Sequence, residues 1–315
     1  MKLHSLRLSN FQSFGQEPTK LDFSDITYLI GPNGSGKTAA LLAVCRLFAF
    51  DPSLRRIRRS DFHVPYDEEE TPEERELWIE ADFTFSELED DEDVATVAPH
   101  FGHMRLDCEE GLPRIRFRLS ATMGMNGDIE ETLVYVLDLN PAGSPMTTAQ
   151  VARLERNHIT VHYLPARRDP SEHIAYGTNA LLGRMLRAIN WKDERAEIKG
   201  LTDQVSEILA QNPSIEALSE TLETTWRKLH KGSFFTSPEI TFVASEIEAL
   251  LRHLSVSFTP GHDEQLVDFS RLSDGQKSML YLSLVLSSQS IGRAVLAGDN
   301  ETFDPDKLHP PVFTI

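Results

Sequence analysis

The chain has 315 residues, of which 40% are hydrophobic and 25% charged, a balance that suits a folded protein of one large or two modest domains. Its net charge of −18 opposes non-specific adhesion to nucleic acid by the chain as a whole. No run approaches the roughly 18 unbroken apolar residues of a membrane span, and the start lacks a signal peptide's apolar core and cleavage site.

The two cysteines, Cys45 and Cys108, make no disulfide framework, so a reducing cytoplasm is the expected setting. In chain order, the first 50 residues predict three strands and a helix. KLHSLRLS alternates, with Leu3, Leu6 and Leu8 as its apolar members, and TKLDFS is a second short strand. ITYLI is an apolar run that stops at Gly31, the pattern of a buried strand. KTAALLAVCRLFAF is rich in Ala and Leu and reads as a helix ended by Asp51-Pro52.

Charge is uneven beyond this point. RRIRR places Arg55, Arg56, Arg58 and Arg59 in five positions, either a solvated or ion-paired patch or a phosphate-tracking one. From Asp67 to Asp93 there are fifteen Asp or Glu against one Arg, which reads as a solvated loop and helix face. LWIEADFTF, LPRIRFRLSA and ETLVYVLDL read as strands, the last two joined as a hairpin through the Asn126-Gly127 turn. Residues 140–148 read as a loop, and HITVHYLPA as the next strand. Apolar residues at helical spacing between Leu181 and Leu229 predict about three helices, with the stripes (Leu201, Val205 and Ile208 among them) expected in a core. EITFVA, a helix-like SEIEALLRHL, the strand LSVSFTP and the apolar helix KSMLYLSLVLSSQ follow.

The strongest chemical signal is GPNGSGKT, comprising Gly31, Pro32, Asn33, Gly34, Ser35, Gly36, Lys37 and Thr38. It fits the phosphate-binding pattern G-x-x-x-x-G-K-[ST], after an apolar run and before a helix. Glycines let backbone N–H groups curl around a phosphate without side-chain clash. Lys37 is expected to reach the β- and γ-phosphates of a nucleotide, and Thr38 to ligate Mg²⁺. The motif alone leaves kinase, GTPase, transporter and DNA-repair ATPases open.

RLSDGQKS, Arg271 to Ser278, resembles the signature loop of ATP-binding-cassette ATPases, with Asp274 where that loop has its first glycine. The resemblance implies that Ser273, Asp274, Gly275 and Gln276 meet the γ-phosphate held by a partner head. Ser273 also suits an ordinary helix N-cap. LHSLRLSNFQSF resembles the opening of RecF-like, SMC-like and overcoming-lysogenization-defect (OLD) family ATPases, which implies that Asn10 and Phe11 lie near the nucleotide. The alternative for Phe11 and Phe14 is a place in the core. SDFH at residues 60–63 and HYLPARRDP resemble the OLD family of ATP-dependent nucleases, which includes the Gabija nuclease subunit.

The resemblance implies an α/β fold: an ABC-type P-loop NTPase head with a mixed β-sheet and an inserted helical lobe. Residues 1–169 would form the ATPase lobe with the Walker A loop, 170–235 the helical lobe, and 236–315 the return to the core. ATP and Mg²⁺ are the implied cofactors. The implied partners are a second copy in a head-to-head dimer, DNA, and a nuclease or helicase module. DNA contact would use the four-arginine cluster with Arg167 and Arg168. Hydrolysis needs a Walker B strand ending in carboxylates. Asp299 and Glu301 follow a short apolar run broken by Gly298 and Asn300, more like a turn. VFTI begins a strand at the last residues, so the Walker B segment and a nuclease domain are expected beyond Ile315. The catalytic carboxylates therefore stay unassigned. A transporter cassette and a nucleotide-sensing module that does not hydrolyse are the rival readings. The pairs His100/His103 and His158/His162 sit in loop or strand contexts that do not suit a metal site.

Overall fold

Alternation in the first residues makes β1, Lys2–Ser9, with Leu6 and Leu8 on one face and Ser5, Arg7 and Ser9 on the other. The computed structural model describes residues 1–69, 72–85, 101, 114–141, 143–164, 180–230, 232, 234, 238, 250–259, 266–308, 310–311 and 313–315. Arg167, Arg168, His100, His103, Cys108 and the predicted strand EITFVA lie outside the described residues. The chain divides into two compact units, Met1–Pro165 with Pro310–Ile315, and Ala166–His309.

In the first unit β1 pairs antiparallel with β2, Thr19–Asp22, and on its other side with β3, Glu74–Thr84. The sheet continues through β4, Arg114–Gly124, β5, Ile129–Leu139, and β6, Pro145–Gln150, giving six strands in the order β2-β1-β3-β4-β5-β6. The β4–β5 turn carries Gly127 at φ 83°, the left-handed backbone that Asn-Gly turns supply. The loop expected at residues 140–148 is shorter, because Pro145 opens an edge strand. Proline is tolerated at the first position of an edge strand, where its missing N–H need not pair.

One face of this sheet is apolar and is covered by α1, Lys37–Phe48. Phe48 meets Phe117 edge-on at 4.9 Å, and Phe83 meets Phe117 at 5.8 Å, both favourable aromatic geometries. Cys45 lies in this core, where burial pushes its thiol up to about 12, only partly opposed by the charge of Arg46. The other face is ionic. Directly opposed residues pair across it: Asp82 with Arg116 at 2.7 Å, and Glu80 with Arg118 at 2.7 Å and Arg7 at 3.2 Å. Arg118 and Arg7 lie 4.4 Å and 5.7 Å from the ring centre of Trp78. A small parallel pair, Ile159–Thr160 with Phe313–Thr314, lies in the same unit. It is shorter than the strand predicted for HITVHYLPA.

The buried strand expected from ITYLI is not formed. Ile26, Tyr28 and Ile30 are 70%, 78% and 93% exposed. No strand among the described residues pairs with this segment, and the backbones of Tyr28, Leu29 and Ile30 make no hydrogen bond among them. An apolar alternation buries only where neighbours cover it.

The second unit is mainly helical: α2, Leu181–Ala188, α3, Glu194–Ala210, α4, Pro213–Leu229, and α5, Asp274–Ala297. Asn212 caps α4 through the N–H of Ser214, with Pro213 at the first helical position. The apolar stripes of α3 and α4 are not in a core: Leu201, Ile208, Leu218 and Leu229 are exposed. α5 is long and apolar enough, by length and composition, to cross a membrane, and little of it is buried. Its ends are capped, by Ser273 at the start and by Gly298 at φ 78° after the end. The strand predicted for LSVSFTP is limited to Ser257–Phe258, paired with Val267–Asp268.

Two outcomes test this packing. Phe117→Ala should lower the unfolding free energy by about 3–5 kcal/mol in a urea titration, as loss of a buried aromatic does. Cys45 should resist alkylation at mildly alkaline pH in the native chain and react promptly in denaturant. Rapid native labelling would mean that the α1 face is not packed as described.

Candidate nucleotide-binding site

The loop before α1 needs backbone that only glycine adopts without strain. Gly34 and Gly36 have φ 85° and 87°. A Cβ on Gly36 would also lie 2.8 Å from the Ser13 hydroxyl and 3.1 Å from the Phe14 ring. Gly36 is the N-cap of α1 and offers no side-chain cap, so the first-turn N–H groups of the helix remain available to an anion. Lys37 folds back into the loop. Its Nζ donates to the carbonyls of Gly31 and Pro32 at 2.8 Å and 2.7 Å, and lies 3.4 Å from the Ser35 hydroxyl. The Thr38 hydroxyl makes no hydrogen bond among the described residues. A cavity of about 340 Å³ opens here, lined by residues 33–39 with Gln12 and Ser13.

Asn10 and Phe11, expected near the nucleotide, divide differently. Phe11 is wholly buried in the core and bridges Phe62. Asn10 has φ 53° and is held at its backbone, its N–H on the Gly15 carbonyl and its own carbonyl on the His63 N–H. The side of the cavity is instead built from Gln12 and Ser13.

Gln12 is held by a network that sequence reasoning did not identify. Its backbone, at φ 48°, donates to the Asp61 carbonyl at 2.7 Å, and its amide Nε2 donates to Asp61 Oδ1 at 2.9 Å. Asp61 is fully buried. It also accepts from Arg46 Nε at 2.7 Å, Arg46 Nη2 at 3.1 Å and the Arg58 N–H at 2.8 Å. His63 Nδ1 donates to the Gln12 carbonyl at 2.7 Å. Arg46 sits on α1, so one carboxylate ties the phosphate-loop helix to the loop beside it. SDFH was legible only as a resemblance; no residue spacing reveals that Asp61 faces Arg46 and Gln12.

The signature segment lies in the second unit. Ser273 is an N-cap, accepting from the Gln276 N–H at 3.4 Å, while Gln276 Oε1 accepts from the Ser273 N–H at 3.0 Å. Asp274 and Gly275 are exposed at this helix start, and a Cβ on Gly275 would meet nothing. Asp299 and Glu301 lie in the irregular stretch after Gly298, not at the end of a strand. No cluster of His, Cys, Asp or Glu suited to a metal occurs among the described residues. Within the arginine cluster, Arg55 is structural, its Nε on the Ala49 carbonyl and its Nη1 on Asn157, whereas Arg56, Arg58 and Arg59 are exposed.

Removing one member of a buried ion pair strands its partner. Asp61→Ala should therefore cost about 3–5 kcal/mol of stability by urea titration. A loss below about 1 kcal/mol, the worth of an exposed pair, would mean that the site is not held by this carboxylate.

No curated protein matches the chain. Several solved structures are similar to it at low identity. One, from a study of ATP-driven dimerization and DNA-stimulated activation of SMC ATPases, is 16% identical over 47% of this chain and 73% of that one, with a TM-score of 0.27. An SMC head bound to the C-terminal winged-helix domain of ScpA is 14% identical over 100% of this chain and 89% of that one, at 0.34. The recombination mediator RecF with ATP is 12% identical over 99% of this chain and 83% of that one, at 0.36. A family model matches residues 1–187, and the chain accordingly belongs to the family described as protein of unknown function DUF2813.

Proposed function

We propose that the chain is the ATP-binding head of an ATP-dependent nuclease of the OLD type. The observation that carries the nucleotide-binding part of this reading is the position of Lys37. Its ammonium sits in a glycine-rich turn and, among the described residues, is held only by neutral oxygens of that turn. A phosphate adds a full opposite charge that a carbonyl lacks, so the γ-phosphate of ATP would displace those contacts. The free N–H groups at the start of α1 would complete the phosphate cradle. Mg²⁺, bound with the nucleotide, supplies charge neutralisation between the phosphates. The unpartnered Thr38 hydroxyl would hold it from the protein side, and Gln12 and Ser13 would border the bound nucleotide.

In this reading Ser273, Asp274, Gly275 and Gln276 at the start of α5 close on the nucleotide of a second copy. The helix N-terminus favours that contact and Asp274 opposes it. The exposed Arg56, Arg58 and Arg59 would contact the DNA backbone. A nucleotide sensor that does not hydrolyse is the second reading. It is favoured by Asp299 and Glu301, which do not end a strand as a Walker B pair would.

Nucleotide binding and association are separable. Lys37→Ala should weaken binding of a fluorescent ATP analogue at least about tenfold, a loss near 1.4 kcal/mol. Unchanged affinity would discard the site. Sedimentation with Mg²⁺ and a slowly hydrolysed ATP analogue should show a second copy joining. Ser273→Arg should abolish that shift while leaving nucleotide affinity intact. If association persists in Ser273→Arg, the closing loop is misassigned. Phosphate release by the wild-type chain would exclude the sensor reading. Changing Arg56, Arg58 and Arg59 to Glu should flatten the salt dependence of DNA affinity.

A further inference from the structure

The second unit contains a cavity of about 450 Å³, the size range of small-ligand sites. It forms where the end of α2, the link into α3 and the Glu301–Lys307 segment meet, with Leu251 beside them. Its walls are fixed by backbone pairing. Asn190 N–H donates to the Thr302 carbonyl at 2.9 Å, Asp304 N–H donates to the Ala188 carbonyl at 2.7 Å, and Ile189 bridges Phe303.

The lining is cationic in an acidic chain. Arg187, Lys192, Arg195 and Lys307 face Glu301 and Asp304, four positive charges less two negative, or +2, against −18 for the whole protein. Of the two carboxylates, Asp304 pairs with Lys307 at 3.4 Å. Lys192 is exposed and forms no ion pair among the described residues. Two aromatic rings, Trp191 and Phe303, also line the space. The Trp191 indole N–H donates to the Leu186 carbonyl at 2.9 Å, which fixes the ring before any ligand arrives. One turn back, burial first and the like charge of Arg187 second hold the Arg184 guanidinium below its ordinary pKa.

We propose that this cavity binds a nucleotide unit, with phosphate on the cations and base against Trp191 or Phe303. Fixed aromatic rings beside Arg and Lys are what stack a base and neutralise its phosphate, and they do so with little regard to sequence. An acidic peptide would use the cations and leave the rings idle. Two sources carry the same chemistry: a free mononucleotide and a single strand of DNA. The glycine-rich loop before α1 belongs to the first unit, so the two cavities share no lining residue.

The test uses the full-length Lys37→Ala chain, so that the phosphate loop contributes little. AMP is titrated by calorimetry, and fluorescein-labelled oligothymidine by anisotropy, both at low salt. At least one should bind. The double change Lys192→Glu with Lys307→Glu, at two exposed positions that leave the fold intact, should weaken it roughly tenfold or more, as loss of two phosphate contacts does. Trp191→Leu should weaken it further at unchanged salt slope. Binding of AMP alone identifies a small-molecule site, and binding of oligothymidine alone identifies a strand-binding site. No binding of either probe overturns the proposal. So does affinity unchanged by the double reversal, or displacement by polyglutamate as effective as by oligothymidine.

Discussion

One buried carboxylate organises the phosphate-loop region. Asp61 takes four hydrogen bonds, from two nitrogens of Arg46, the Arg58 backbone and the Gln12 amide. A buried carboxylate is tolerable only when its oxygens are satisfied in this way. Satisfying them draws together three separate stretches: the last turn of α1, the turn after Phe50, and the loop after β1. The turn of backbone that leaves Ser13 against Gly36 follows from that convergence. So does the left-handed conformation of Gln12, which no local preference would supply.

The six-stranded sheet solves a related problem on its other face. Its core side is Leu, Ile and Phe, and packs against α1. Its far side carries Glu80 and Asp82, both buried, between Arg7, Arg116 and Arg118. Strand register places each carboxylate opposite an arginine, so a one-residue slip would separate every pair and expose the Leu and Phe rows together. The ionic layer thereby specifies register, a role distinct from adding net stability.

Much of this was legible in the sequence because its causes are local. Asn126-Gly127 demands a tight turn, the alternation of β1, β3 and β4 demands one buried face, and Gly34 and Gly36 demand a glycine-only turn into a helix. Phe11 could be read as core or as ligand contact, since an aromatic residue after a strand suits both. Gln12 gave no signal at all, because its role depends on Asp61, some fifty positions away. The strand at Pro145 was hidden by proline's usual meaning. The segment at residues 26–30 failed for the opposite reason: its pattern is right for a strand, but burial is a property of neighbours, and none of the described elements covers it. The stripes on α3 and α4 teach the same lesson for helices.

That uncovered segment leads directly into Gly31. Exposed Ile26, Tyr28 and Ile30, with backbone from Tyr28 to Ile30 that makes no hydrogen bond among the described residues, form the approach to the glycine-rich loop. A surface that paired with this approach would order backbone that leads straight into the loop proposed to hold a nucleotide. Under that proposal, order imposed by one ligand would lower the entropy that the other has to lose. Linkage would make the effect mutual: a covering surface that sharpened nucleotide affinity would itself be held more tightly once nucleotide was bound, by the same factor.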